Sequence, residues 1–393
     1  MNKSLLSADI QEFINSNIEV DVTKLALQKN KFSNEDWASI LNQIVGKQKS
    51  KSKLPTWFNA KNIIYPVKIS IEQTSSEKTA EYKSQLVSGE TLIDLTGGFG
   101  VDDYYFSKKI DRVTHCEINI ELSEIVEHNF EQLNIKNIQC LAGDSSEILK
   151  SLNQKFDWIY IDPSRRNDAK GKVFMLKDCL PNVPDLLTFY FEYASTIMVK
   201  TAPILDITAG LSELQNVKAI HVVALENEVK ELLWILEKNY NQSVSITTVN
   251  LLKNNTESFS FVLKTKNDSV VYSLPEKYLY EPNAAIMKAA GFNEIALQFE
   301  VKKLHQHSHI YTSDNRIDFP GRIFKIDSIL EYNKQNMKSF LKDKKANVTT
   351  RNFPESVESI RTKWKIKEGG DVYCFFTTNM NNDKIVLLCS KLK

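Results

Sequence analysis

The apolar positions of this chain repeat with two periods. Residues 91–95 are apolar or β-branched around a single carboxylate, which predicts a buried strand, and Gly97, Gly98 and Gly100 then turn the backbone into a helix. Similar strand-like runs recur at 112–116, 137–141, 156–161 and 196–200, with helical spacing between them. Later strands are expected at 219–225, 246–250 and 259–264, and residues 228–237 read as a helix. Strand and helix in alternation from 90 to about 266 predict an α/β unit, a mostly parallel sheet covered on both faces that takes its ligand at the strands' carboxyl ends.

The flanking segments follow other patterns. Upstream, the first 45 residues are helical in pattern: Ser33 and Asp36 form a capping box, Trp37, Ile40, Leu41, Ile44 and Val45 make an apolar stripe, and Gly46 is placed to end the helix. The alternating Lys and Ser of 47–53 predict a flexible, exposed linker, and Trp57-Phe58 beside it either packs on the α/β unit or stacks on bases. Ser75 or Ser76 caps the helix leading into the first strand. Beyond 267 the order is strand from 321, helix 331–342, strand 346–351, helix 355–365 and a hairpin of 372–377 with 384–388, a small α+β module. The expected domains are 1–71 (helical region and basic linker), 72–267, 268–318 and 319–393.

The strand ends carry the chemistry. A dinucleotide fingerprint started at Gly98 needs a glycine where Asp103 stands, so a nicotinamide or flavin dehydrogenase is disfavoured. The pattern acid-x-(Gly or Thr)-x-Gly-x-Gly fits as Asp94, Thr96, Gly98 and Gly100. Glu117, at the second strand's end, can accept both ribose hydroxyls of a nucleoside. The third strand runs into Gly143-Asp144, and the fourth delivers Asp162-Pro163-Ser164-Arg165-Arg166.

On these residues the chain resembles the class I S-adenosylmethionine-dependent methyltransferases. The resemblance implies S-adenosylmethionine as cofactor, with Asp94 near its methionine amino group, Gly97, Gly98 and Gly100 close to the sulfonium and ribose, and Asp144 on the adenine amino group. In relatives resembling trimethylguanosine synthase, a stretch like 72–80 covers the methionine end, which would put Gln73, Ser75 and Ser76 at the pocket rim. Asp162-Pro163 is similar to the start of the Asp/Asn-Pro-Pro-aromatic segment of amino-group methyltransferases, in which a side-chain oxygen and a backbone carbonyl orient the amino nitrogen. Ser164 and Arg165 depart from its last two places. Arg165 or Arg166 can stack on a base, hold a phosphate, or pair with a carboxylate such as Asp144 or Asp168. Pyrimidine C5 chemistry ranks lower, because Lys200-Thr201-Ala202-Pro203 after the fifth strand offers no cysteine nucleophile.

Further segments extend the resemblance over nearly the full length: Tyr280-Glu281-Pro282, residues 309–313, Phe319-Pro320-Gly321-Arg322, and Lys367-Glu368-Gly369-Gly370-Asp371. They are similar to bacterial class I methyltransferases with a ferredoxin-like insert and a THUMP-like C-terminal domain. The expected fold is therefore α/β, a Rossmann-like class I methyltransferase sheet with an N-terminal helical region and a small C-terminal α+β domain, ferredoxin-like and THUMP-like. THUMP modules bind structured RNA, so the resemblance implies a tRNA or rRNA base as substrate.

Charge sharpens the RNA expectation. The net charge of +1 conceals six lysines and no acid in 47–68, and ten Lys/Arg against four Asp/Glu in 331–367. Such segments suit an anionic polymer, or are solvated surface. A hydrophobic content of 42% with 25% charged residues suits a globular protein, and five scattered cysteines read as reduced thiols of a cytoplasmic one, with no membrane span and no signal peptide expected. No C-x-x-C pair points to zinc, and His305, His307 and His309, expected on one strand face, read as structural rather than metal-binding. The other readings of the whole are an RNA-holding protein on a silent methyltransferase fold, and a small-molecule or protein methyltransferase.

Overall fold

A computed structural model describes residues 1–32, 37–66, 68–165, 175–263 and 269–393. The chain divides into two compact units, one of residues 1–219 and 231–242, the other of 220–230 and 243–393. The predicted capping box at Ser33 and Asp36, and the polar loop after Arg165, lie outside the described residues.

The first unit is built on the strands β1 (Thr91–Asp94), β2 (Arg112–Glu117), β3 (Ile138–Ala142), β4 (Phe156–Ile161), the two-residue β5 (Ser164–Arg165) and β6 (Cys179–Leu180), and β7 (Ala194–Thr201). After β8 (Val217–Leu225), which is shared with the second unit, comes β9 (Glu228–Glu237). The order is β9-β7-β4-β1-β2-β3. All pairs are parallel except β7 with β9. The order reverses between β1 and β4, the kind of position at which α/β sheets take ligands outside their strands' carboxyl ends.

β9 corrects the helix expected at 228–237. Leu232, Leu233, Trp234 and Leu236 are all fully buried, and a strand covered on both faces reads as a continuous apolar run without a period-2 signature. The turn before it has Glu226 and Asn227 both left-handed, at φ 49° and 64°, which suits a two-residue hairpin turn.

The basic run 47–53 is also corrected. It is not a flexible linker but the last turns of a helix, Trp37–Lys53. Gly46 does not end that helix. It is buried, and an added Cβ would strike the Tyr65 side chain. Gln43 clamps the Tyr65 backbone, donating to its carbonyl and accepting from its N–H, both at 2.8 Å. Lys49 pairs with Glu72, Lys51 with Glu19, and Lys53 donates to the carbonyl of Glu72, so much of this positive charge is spent inside the unit. Trp57 is fully buried with its ring 4.9 Å from Tyr104, which makes it core rather than a stacking platform.

The second unit holds an antiparallel pair, β10 (Ser245–Leu251) and β11 (Thr256–Val262), and a separate seven-stranded sheet. Its strands are β12 (Tyr278–Pro282), β13 (Lys302–Lys303), β14 (Tyr311–Ser313), β15 (Gly321–Glu331), β16 (Asn347–Arg351), β17 (Val372–Thr378) and β18 (Lys384–Lys391), in the order β13-β14-β12-β15-β18-β17-β16. Helices Lys334–Phe340 and Val357–Trp364 cover one face through Met337, Leu341, Ile360 and Trp364. The expected strand-helix-strand-helix-hairpin order is therefore present. The buried Glu281 of β12 accepts from Arg322 Nε at 2.6 Å and Arg351 at 2.8 Å, tying three strands together.

The three histidines do not share a strand face. Residues 304–310 make a turn, with His309 left-handed at φ 52° and stacked on Phe292 at 3.6 Å, and His305 held by Asn382 and Asn352. Burial, together with the charges of Lys303, His307 and Arg351, lowers the His309 imidazole to about 4. An unfolded chain protonates this ring near 6.5, so the stability it contributes is present above that value and is lost as pH falls towards 4. We expect the urea midpoint to drop over that window, and the drop to shrink in His309→Asn, a residue that tolerates the left-handed backbone.

No helix among the described residues is long and apolar enough to cross a membrane.

Candidate active site at the carboxyl ends of the parallel strands

The sharp turn after β1 is held from three sides. Asp94 Oδ1 accepts from the Thr96 N–H at 2.7 Å and the Thr96 hydroxyl at 3.1 Å. The Thr96 hydroxyl in turn accepts from the N–H of Asp162 at 2.7 Å, linking the ends of β1 and β4. The Gly98 N–H donates to Glu117 Oε2 at 3.0 Å, linking β1 to β2, while Glu117 Oε1 takes the Asn119 N–H at 2.7 Å. Asp94, Thr96, Gly97, Gly98, Gly100, Glu117 and Asp162 thus meet at one edge. Asp144 caps helix Ser145–Leu152 beyond β3, with Oδ1 accepting the N–H groups of Ser146 and Glu147.

Asp94 is only 1% exposed. Burial, reinforced by the charge of Asp103 and opposed by His115 and the Thr96 N–H, pushes its carboxyl well above the usual range. Beneath the turn, His115 Nδ1 lies 2.6 Å from Asp103, both fully buried. Burial raises the Asp103 carboxyl, as does neighbouring Asp102, and burial lowers the His115 imidazole, with the charges of Asp94 and Glu117 opposing.

The predicted rim residues separate. Ser76 caps helix Glu77–Ser84 through the Thr79 N–H at 3.2 Å. Ser75 is buried and donates to Asp102 at 3.0 Å, and Gln73 is exposed at the end of helix Lys68–Gln73. Pro163 is half-buried and Ser164 exposed. Ser164 and Arg165 pair through their backbones with Leu180 and Cys179. Arg166 lies outside the described residues.

Several groups here had no signal in the sequence. Lys83, fully buried, donates to both oxygens of Glu231, at 2.9 and 2.8 Å, and to Ser75 at 2.8 Å, and lies 3.1 Å from Asp102. Asp102 also accepts from the Tyr160 hydroxyl at 2.8 Å. Lys200, near the end of β7, binds Asp162. Burial works against its charge, but Asp162, Glu231 and Asp102 outweigh that and hold the ammonium above its ordinary value. Ile118, directly after the strand-end acid Glu117, is 73% exposed, an apolar side chain left open beside the turn.

Comparison with known proteins bears on this arrangement. A crystal structure described as a "putative methyltransferase from Porphyromonas gingivalis W83" matches all of this chain and 99% of its own, at 30% identity and a TM-score of 0.89. The chain belongs to that protein's family. Its two C-terminal parts are recognised separately in this methyltransferase-fold family, residues 278–320 as a ferredoxin-like domain and 321–391 as THUMP domain-like. Two further structures match about two fifths of the chain. SMU.1697c, a "putative methyltransferase" from Streptococcus mutans in complex with SAH, is 18% identical over 96% of its own length, with a TM-score of 0.30. An rRNA methylase from Streptococcus thermophilus is 11% identical over 94% of its length, also at 0.30. At that score neither bears on this chain's activity. No curated protein matches the sequence.

Among the described residues, no group of three or more His, Cys, Asp or Glu is placed to hold a metal ion.

Proposed function

We propose that this chain is an S-adenosylmethionine-dependent methyltransferase acting on a nitrogen of a tRNA or rRNA base. The observation that carries the reading is the cross-linked edge of β1, β2 and β4, where Glu117 holds Gly98 and Thr96 holds Asp162. The residues fit the cofactor. An added Cβ at Gly98 would meet nothing of the chain nearer than 3.7 Å, so the turn leaves room for a ligand against its backbone. Glu117 then takes the ribose hydroxyls, Ile118 offers apolar surface to the purine, and Asp144 accepts from the adenine amino group with Oδ2, the oxygen not used in capping. Gln73, Ser75 and Ser76 are assigned to the methionine end by the resemblance alone, Ser75 being bonded to Asp102 and Ser76 to the N–H of Thr79.

When bound, the cofactor supplies an electrophilic methyl group. Asp162 and the Pro163 carbonyl would accept hydrogen bonds from the base nitrogen and aim its lone pair at that methyl group. The nitrogen's proton leaves to Asp162 or to water. Arg165 or Arg166 holds the nucleotide by stacking or by its phosphate.

The RNA half of the reading rests on the THUMP-like resemblance and on one surface of the second unit. Backbone bonds from Lys367 to Lys344 and from Ala346 to Lys367 lay two loops side by side, bringing the exposed Lys342, Lys344, Lys345, Lys365 and Lys367 together. We expect RNA affinity to fall steeply with salt, and Lys344→Glu, Lys345→Glu and Lys367→Glu combined to reduce the log–log slope by about three. The reading itself is tested by calorimetric titration of S-adenosylmethionine and transfer of labelled methyl to total tRNA and rRNA. No cofactor binding, even with RNA present, would leave a fold that only holds RNA. Methyl transfer to protein or small molecules, with salt-insensitive RNA binding, would favour the third reading.

A further inference from the structure

We infer that Lys200 is a positioning residue for Asp162, turning its carboxylate so that a single oxygen faces the acceptor; this rests on the reading of Asp162 as the acceptor-binding group. Ile161 of β4 pairs in register with Val199 of β7, so Asp162 and Lys200 stand side by side one step further on. Lys200 Nζ binds Asp162 Oδ2, and the Asp162 N–H is fixed on Thr96. Side-chain exposure rises along an alternating series: Lys83 0%, Glu231 3%, Lys200 13%, Asp162 34%. Lys83 anchors Glu231, the charges of Glu231 and Asp162 both act on the Lys200 ammonium, and Asp162 is the member that reaches the surface. The series runs from the core to the strand ends.

This arrangement has a chemical consequence. With Oδ2 bonded to Lys200, Oδ1 is the oxygen turned to accept a bond, and a carboxylate so held takes a hydrogen-bond donor, which on the base proposed here is an N–H. The substrate class that fits is a neutral nitrogen carrying a proton, as in an exocyclic amine or ring N–H. A lysine that only stabilised the fold would have no reason to govern turnover.

The test combines turnover with a substrate-free readout. We expect Lys200→Met to lower kcat for methyl transfer to total RNA about 100-fold, with RNA KM and S-adenosylmethionine affinity within about twofold of wild type. Lys200→Arg, which keeps the charge, should recover at least a tenth of the wild-type rate. Lys200→Met combined with Asp162→Ala should be no slower than Asp162→Ala alone. An unchanged kcat, a raised KM with kcat intact, or fully multiplicative losses in the double variant would overturn the inference. If Asp162→Ala itself transfers methyl at the wild-type rate, the functional reading fails instead. Competitive acetylation of lysines then decides the pairing without substrate. Lys200 should react slowly in the wild type and at least about tenfold faster in Asp162→Asn, since the neutral amine is the reactive form. Equal rates would sink the pairing whatever the activity.

Discussion

Lys83→Met is expected to destabilise the first unit by about 3–5 kcal/mol, the cost typical of removing one partner from a buried ion pair. Glu231 is 3% exposed in its side chain and accepts both its side-chain bonds from Lys83, while Asp102 and Ser75 also face the ammonium. Burial already raises the Glu231 carboxyl above its ordinary range, with Lys83 and Lys200 pulling it back, so removal of Lys83 leaves a carboxyl with weaker reason to stay ionised. The loss should therefore be smaller in acid, where Glu231 can take up a proton, and larger towards neutral pH. Glu231→Gln combined with Lys83→Met should recover much of the loss, because no uncompensated charge remains. Urea unfolding of the two single variants and the double variant measures this. Equal destabilisation in single and double variants would mean that packing, not charge, holds the site.

The same cluster shows where sequence reading stopped. Strand positions and their acidic ends were legible, because a buried apolar run closed by Gly or Asp has a local signature, and Asp94, Glu117 and Asp162 do sit at three adjacent strand ends. The C-terminal order of elements was legible for the same reason. Lys83 and Glu231, however, are 148 residues apart, and each looks alone like a solvated charge on an amphipathic segment. Only the sheet order brings β9 beside β7 and so places Glu231 behind Lys200. β9 itself was misread because Leu232 to Leu236 are buried on both faces, which removes the alternation that marks a strand. The basic helix was misread for the opposite reason. Lysine favours a helix, but the interleaved serines and the like charges four apart at Lys47/Lys51 and Lys49/Lys53 oppose one, and tertiary anchors, Gly46 against Tyr65 and Lys51 on Glu19, hold those turns.

The two glycines at the β1 turn should fail in different ways, and the contrast separates the scaffold from the ligand site. At Gly97 an added Cβ would lie well inside contact distance of His115 Cε1 and Nδ1. That ring cannot retreat: it is fully buried, bound to Asp103, and edge-on to Phe130 with centroids 6.2 Å apart. Gly97→Ala is therefore expected to cost about 1–3 kcal/mol of stability through overpacking, and to shift the turn enough to weaken S-adenosylmethionine binding about 100-fold or more. Gly98 adopts φ 55°, where an alanine costs about 1–2 kcal/mol at most, and its Cβ meets no neighbour closer than Thr96 O at 3.7 Å. Gly98→Ala should thus unfold only a little earlier than wild type yet lose cofactor affinity as heavily as Gly97→Ala, because the methyl enters the space assigned to the ligand. Thermal unfolding beside calorimetric titration reads both quantities. If Gly98→Ala binds S-adenosylmethionine as well as the wild type, the cofactor does not lie against this turn, and the assignment of Glu117 and Asp144 falls with it.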